Sequence, residues 1–233
     1  MRSHREKWRR TWFGAVVVGS IVATTVHANA PFRSIANSLP SVSDPCQLRA
    51  DLRELWSDHV YWTRLFIMSF ATDLPDKDAT AKRLLQNQQE IGRSAGAFYG
   101  ETAGDKLTQL LSDHIAIAID VLIAARSGNA DLVAAQLNRW TANADEMAAF
   151  LHEANPEHWA REEMEQMLRE HLRVTYEEAG QYLRQEYESS VATFEQVKAQ
   201  ALTMADMMAA GITAQFGTGD HPSQAQQQHR QSP

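Results

Sequence analysis

The sequence predicts an all-α protein, a six-helix bundle built from three repeated αα-hairpins with a period of about 56 residues. The first observation is a run that occurs three times. Leu55-Trp56-Ser57-Asp58-His59-Val60-Tyr61-Trp62-Thr63 is echoed by residues 110–118, LLSDHIAIA, and by residues 167–175, MLREHLRVT. Two apolar residues, a variable one, an acid and a histidine come round each time. The histidines, His59, His114 and His171, stand 55 and 57 residues apart. The second observation is a motif in step with the first. Residues 83–91, RLLQNQQEI, match residues 139–147, RWTANADEM, and more weakly residues 196–204, QVKAQALTM, so that Asn87, Asn143 and Gln200 follow their histidines by 28, 29 and 29 residues. The third is an absence: no stretch alternates with period two, so no strand is expected. Two motifs keeping one period read as helix, turn, helix, repeated.

The elements follow in order. Residues 1–28 read as a secretory signal peptide. Arg2, Arg5, Lys7, Arg9 and Arg10 form a basic head, residues 11–26 an apolar centre, and Val26-His27-Ala28 offers small residues for cleavage. The other reading is an uncleaved N-terminal anchor, although 16 apolar-rich residues fall short of the roughly 20 that a bilayer requires. No other segment reads as long and apolar enough to span a membrane. Residues 29–43 read as a flexible lead-in. Helix one is expected from Pro45 to about Thr72, with Asp44 as its cap and Pro45 in its first turn. Asp73-Leu74-Pro75-Asp76 breaks it. Helix two is expected over 77–98, closed by Tyr99-Gly100, and helix three over 102–127, closed by Gly128-Asn129. Helix four covers 130–153 and stops at Asn155-Pro156. Helix five starts near 158–160, acidic in its first turns as the helix dipole prefers, and runs to about Leu183. Helix six covers about 187–216, with no strong break before it. The helical domain is thus 44–216, and residues 217–233 form a polar tail expected to be disordered.

Helical spacing sends the three histidines inward. His59 has Leu52, Leu55, Trp56, Trp62 and Phe66 on its face. His114 has Leu107, Leu110, Leu111, Ile117 and Val121, and His171 has Met164, Met167, Leu168, Val174 and Glu178. An imidazole in a core must satisfy both ring nitrogens. Counting rise from the turn puts Asn87, Asn143 and Gln200 at the height of their histidines, with Glu90 and Glu146 one turn later and Arg83 and Arg139 one turn before. Two readings follow. In one, each histidine bonds its own hairpin's amide, and the three locks set helix register. In the other, the hairpins close about a pseudo-threefold axis and His59, His114 and His171 converge. Three imidazoles, with Glu90 and Glu146 as weaker candidates, would then be ligands for zinc, copper or iron. An open solenoid would spread the histidines apart and end the metal reading. Met204, Met207 and Met208 read as core.

Composition narrows the partners. The whole chain carries a formal charge of −7; without residues 1–28 it has 17 basic and 28 acidic side chains, a balance of −11. Such a surface repels phosphate backbones, so nucleic acid is not expected as a partner. Cys46 is the only cysteine, so no internal disulfide exists. It either joins two copies or sits free under the first turn. No catalytic motif is present, so an enzyme has no identifiable site.

The runs LWSDHVYWTRLFI, RLLQNQQEIG, FYG, DHIAIA, RWTANADEMAAFL and LTMADMM together resemble an uncharacterised family of bacterial helical proteins. The resemblance spans about residues 50–216. It implies an all-helical bacterial domain and carries over no activity, ligand or site residue. Many members of that family lack an export signal, which would make the address a feature of this chain. The function expected is that of an exported, non-enzymatic binding protein with a buried polar centre, periplasmic or extracellular. The alternative is a helical interaction or scaffold module with purely structural histidines.

Overall fold

A computed structural model of the chain describes residues 42–217. The signal peptide and its cleavage point, most of the lead-in, and the tail from residue 218 with His221 and His229 lie outside the described residues. Within them are six helices and no strand: α1 (Pro45–Ala71), α2 (Lys77–Tyr99), α3 (Glu101–Ser127), α4 (Ala130–Ala154), α5 (Arg161–Leu183) and α6 (Tyr187–Phe216).

The punctuation is local chemistry. Asp44 caps α1, its Oδ1 accepting from the backbone N–H groups of Cys46 at 2.9 Å and Gln47 at 3.1 Å. Gly128, at φ +68°, takes the left-handed conformation that closes α3. Asn129 then caps α4 by accepting from the Leu132 N–H at 2.9 Å. The α5–α6 junction carries no glycine or proline. Gln185 takes the left-handed position itself, at φ +64°, and the Glu186 N–H donates back to the Gln181 carbonyl at 2.9 Å. Asp73, at φ +52°, does the same after α1.

Each helix packs on its neighbour in sequence, and α1 also packs on α6, so the six close into a ring; α5 reaches across the interior to α1 and α3. The chain therefore does not form an open solenoid. Arg49 and Arg53 of α1 clamp Asp206 of α6, with Arg49 meeting both carboxylate oxygens at 2.7 Å. These guanidiniums hold the Asp206 carboxyl down at about 2. The ends are joined too. Val42 is buried and its N–H donates to the Phe216 carbonyl at 3.0 Å, beside Gly217. The fold thus takes in one residue of the expected lead-in and the first residue of the expected tail.

The core falls into one large buried cluster and two smaller ones, around Phe66 and Ile67 and around Val60 and Phe194. Leu52, Trp56, Leu110, Leu111, Trp140, Met147, Met164, Leu168, Met204 and Met208 belong to one buried cluster. By length and composition α3 would suffice to cross a membrane, contrary to the expectation from sequence. Half of its apolar window is buried inside the bundle, because this helix faces the interior along much of its length. Where α2 meets α3 the backbones nearly touch: a Cβ on Gly92 would stand 2.6 Å from the Gly104 carbonyl oxygen. Only hydrogen fits there.

Candidate functional site

The three repeated histidines all lie inside, His59 at 3% exposure and His114 and His171 at 4% each. The central position of each in its helix's apolar stripe is the cause. They are close enough to oppose one another's charge: His59 feels both His171 and His114, and His114 feels His171. The ring centres of His59 and His171 are 5.8 Å apart. Burial, first, and this mutual repulsion push the imidazoles of His59 and His114 down, His114 to about 3 and His59 well below its ordinary value; burial also lowers His171. All three are thereby biased toward the neutral imidazole.

Each ring is held by an amide from the following helix. His114 Nδ1 lies 2.9 Å from Asn143 Oδ1, and the Asn143 amide nitrogen donates to the Leu110 carbonyl at 3.1 Å. His171 Nδ1 lies 2.9 Å from Gln200 Oε1, and the Gln200 amide nitrogen donates to the Met167 carbonyl at 3.0 Å. Both carbonyls belong to the residue one turn before the histidine. The second bond decides the first. With the amide nitrogen committed to a backbone carbonyl, the amide oxygen is left to accept, so Nδ1 carries the ring proton and Nε2 keeps its lone pair.

At His59 the two tasks are split. Asn87 donates to the Leu55 carbonyl at 3.0 Å, while the residue nearest His59 Nδ1 is Gln88, whose amide nitrogen stands 3.3 Å away. Within this hairpin the contact to His59 Nδ1 is made by Gln88, the neighbour of the expected Asn87. The constant separation is 29 residues, His59 to Gln88, His114 to Asn143 and His171 to Gln200. Gln88 also donates to the Leu84 carbonyl at 2.7 Å, and its own buried Oε1 has no partner among the described residues. His59 is consequently the least firmly held of the three rings.

All three histidines line one cavity of about 40 Å³. Its other walls include Leu84, Ile115, Leu122, Trp140 and Thr175. Space of this size admits an ion or a few water molecules, since one water occupies roughly 10–15 Å³ by the same measure. Thr175 Oγ1, buried one turn after His171, has no partner among the described residues, whereas Thr63 Oγ1 donates to the His59 carbonyl at 2.7 Å. Trp56 and Trp140 bracket the histidines, at 5.6 Å from His59 and 5.1 Å from His114.

The charged residues proposed beside the histidines stay outside. Glu90 and Asp58 both bond Arg83, at 3.2 and 2.6 Å, and Arg83 lies over the half-buried Trp62 ring. Glu146 is 57% exposed on Lys106, and Arg139 faces Asp120 at 3.3 Å. Glu90, Glu146 and both arginines lie about 40–60° round their helices from Asn87 and Asn143, enough to turn them to the flank. Among the described residues no group of three or more His, Cys, Asp and Glu stands ready to hold a metal ion.

Sequence reasoning missed a second buried polar cluster. Glu178 of α5, 1% exposed, pairs with Arg64 of α1, which also reaches Ser190 of α6 and lies 4.8 Å over the Phe194 ring. Burial outweighs the Arg64 charge and raises the Glu178 carboxyl to about 7. Its position seven residues after His171, on the same inward stripe, was the available signal. It missed Asn155 too, whose amide donates to the Gly211 carbonyl at 2.9 Å beside the buried Trp159.

No protein-family model, curated protein or solved structure matches the chain.

Proposed function

We propose that the chain is an exported helical binding protein whose buried histidine centre takes one transition-metal ion. One observation carries this reading. His114 and His171 have their protonated Nδ1 fixed by amides that are themselves fixed by helix carbonyls, which leaves their Nε2 lone pairs free, and both residues line the same cavity. Ligating histidines are characteristically set up this way, with the second nitrogen donating to a carbonyl that locks tautomer and ring angle. No Nε2 hydrogen bond of His114 or His171 is formed among the described residues, so both lone pairs remain available to a donor or an ion. His59 Nδ1 faces the Gln88 amide nitrogen, which can only donate, so the ring proton sits on Nε2 and His59 would have to change tautomer to join the other two.

The architecture behind this is a helical hairpin used three times. In its support stand the common 29-residue step and the repeated bond from the amide to the carbonyl one turn before the histidine. The closed ring of helices supports a pseudo-threefold arrangement in place of a stack. The basic, apolar and small-residue order of residues 1–28 supports export, with an uncleaved anchor as the other outcome. The acidic balance supports a protein that binds neither nucleic acid nor anionic lipid. Cys46, exposed at the first turn of α1, is placed to join two copies under oxidising conditions.

The test is metal analysis of untagged protein, followed by titration with zinc, copper and iron. Uptake of one ion per chain supports the reading. No bound metal and no uptake of any of the three overturns it. One observation favours a second reading, a scaffold in which the histidines only set register: no three ligating side chains are assembled in advance. On that reading His114→Gln changes stability and no binding.

A further inference from the structure

We propose that the junction of Arg64, Glu178 and Ser190 is a pH-sensitive latch on the seam between α1 and α6, closed while the Glu178 carboxyl holds its proton and slackened when the proton leaves. None of these three residues lines the histidine cavity.

Two polar clamps close the ring of helices along this seam. At one end Asp206 receives Arg49 and Arg53 through both of its oxygens, partly in solvent. With two guanidiniums on it, this carboxylate keeps its charge across the whole ordinary pH range. The other end is built differently. Arg64 of α1 bonds Glu178 Oε1 of α5 and reaches the Ser190 carbonyl and hydroxyl of α6 at 3.4 and 3.3 Å. Ser190 Oγ donates to the same Oε1 at 3.4 Å, so both hydrogen bonds found on this carboxylate among the described residues fall on one oxygen. The Glu178 side chain is 1% exposed. A carboxylate taken out of water needs more compensation than one guanidinium and one long hydroxyl contact supply. Burial accordingly outweighs Arg64 and Ser190, and Glu178 titrates at about 7. No other charged side chain acts on it: α3 brings Ile119 and Ile123 to the neighbouring Ala179, and Tyr182 and Phe194 lie under the Arg64 guanidinium at 6.0 and 4.8 Å.

The first turns of α6 are the part able to give. They follow Gln185, held in the left-handed conformation at φ +64°, and the helix start has no side-chain cap. Tyr187 and Val191 stand exposed on the outer face. A helix end with few buried contacts opens locally well before the whole fold does. Opening brings water to Glu178, whose proton affinity then falls back toward the model value of 4.5. The open form therefore favours the ionised carboxyl. The closed form, whose value is raised, has its full advantage below 4.5 and loses it as pH rises through 7. Alkali loosens this end of the seam, and the Asp206 end stays shut.

Amide hydrogen exchange on the full chain, corrected for the intrinsic exchange rate, reads the opening at residues 191–194. A carboxyl at 4.5 when open and about 7 when closed should enlarge the opening equilibrium about ten-fold between pH 6 and 8. Glu178→Gln, which has no proton to lose, should show no such rise whatever its overall stability. Amides of α6 around Asp206 should show none in either protein. If Glu178→Gln does not fold, the parent decides alone: its Glu178 carboxyl carbon must titrate near 7 by nuclear magnetic resonance, and the rise must be confined to the first turns of α6. Protection that is flat between pH 6 and 8 overturns the latch. So does a rise shared by Glu178→Gln or spread along the whole of α6, and so does a Glu178 carboxyl that titrates at its ordinary value.

Discussion

Replacing His114 by glutamine should flatten the acid sensitivity of the fold by a calculable amount. Glutamine can offer its amide N–H to Asn143 Oδ1 as the imidazole does, but it does not titrate. In the unfolded chain His114 takes up a proton near its model value of 6.5, whereas in the buried native site it does so only at about 3. A group whose folded value is depressed contributes stability that is complete above the unfolded value and is lost as pH falls toward the folded one. Between pH 7.5 and 5.5 the unfolded state gains nearly a full proton at this residue and the native state gains none. The loss is about 1.4 kcal/mol, the free energy of one pH unit of proton binding. His59 and His171 shift in the same direction and add to the slope of both proteins equally. Glu178 opposes them: raised from 4.5 to about 7, it contributes stability below pH 4.5 that is lost as pH rises through 7. It too is common to both proteins and cancels in the comparison. Urea unfolding followed by far-ultraviolet circular dichroism at pH 7.5, 6.5 and 5.5 measures the difference. Wild type should lose about 1.4 kcal/mol more than His114→Gln over this range. Parallel pH profiles would mean that His114 protonates normally in the native protein, and the buried neutral site would be refuted.

Further expectations follow from the packing and the ion pair. Gly92→Ala forces a methyl group against the Gly104 carbonyl at the α2–α3 contact and should cost about 1–3 kcal/mol; an unchanged thermal midpoint would show that the helices can separate freely. Leu110→Ala empties a site that is 2% exposed and should cost about 2–5 kcal/mol in urea; a loss below 1 kcal/mol would place Leu110 outside the core. Glu178→Gln leaves the Arg64 guanidinium buried without its counter-charge, for a cost of about 3–5 kcal/mol, which Arg64→Met/Glu178→Leu should largely restore. A double variant less stable than the single one contradicts that account. Saturation of the histidine centre at one hundred times the dissociation constant should raise stability by about 2.7 kcal/mol, and calorimetric melting with and without metal reads it. No rise in midpoint speaks against binding to the native state.

Much of this fold was legible because it is written in local signals. Asp44-Pro45, Gly128-Asn129 and Asn155-Pro156 mark helix ends by chemistry acting over three or four residues, and the helices begin or end there. The inward aim of His59, His114 and His171 followed from the period of the apolar residues around them. The α5–α6 junction was faint because Gln185 adopts a left-handed conformation that its residue type does not announce. Asn87 makes the carbonyl bond that Asn143 makes, while the contact to the histidine passes to its neighbour Gln88. Successive helix positions differ by about 100°, so both amides lie near the interior and only coordinates separate their tasks. The charged flank was misplaced for the same reason: Glu90 and Glu146 share the height of the histidines and not their face. Arg64 with Glu178, separated by 114 residues, and Val42 with Phe216 depend on how helices far apart in the chain meet, which no local period encodes.

The most direct test is X-ray absorption at the edge of the metal bound to the purified chain. The spectrum should show two or three imidazole nitrogens at about 2 Å, recognisable by the outer-ring scattering of histidine. A shell of sulfur, or of oxygen without imidazole scattering, would contradict the assignment of His59, His114 and His171 as the binding centre.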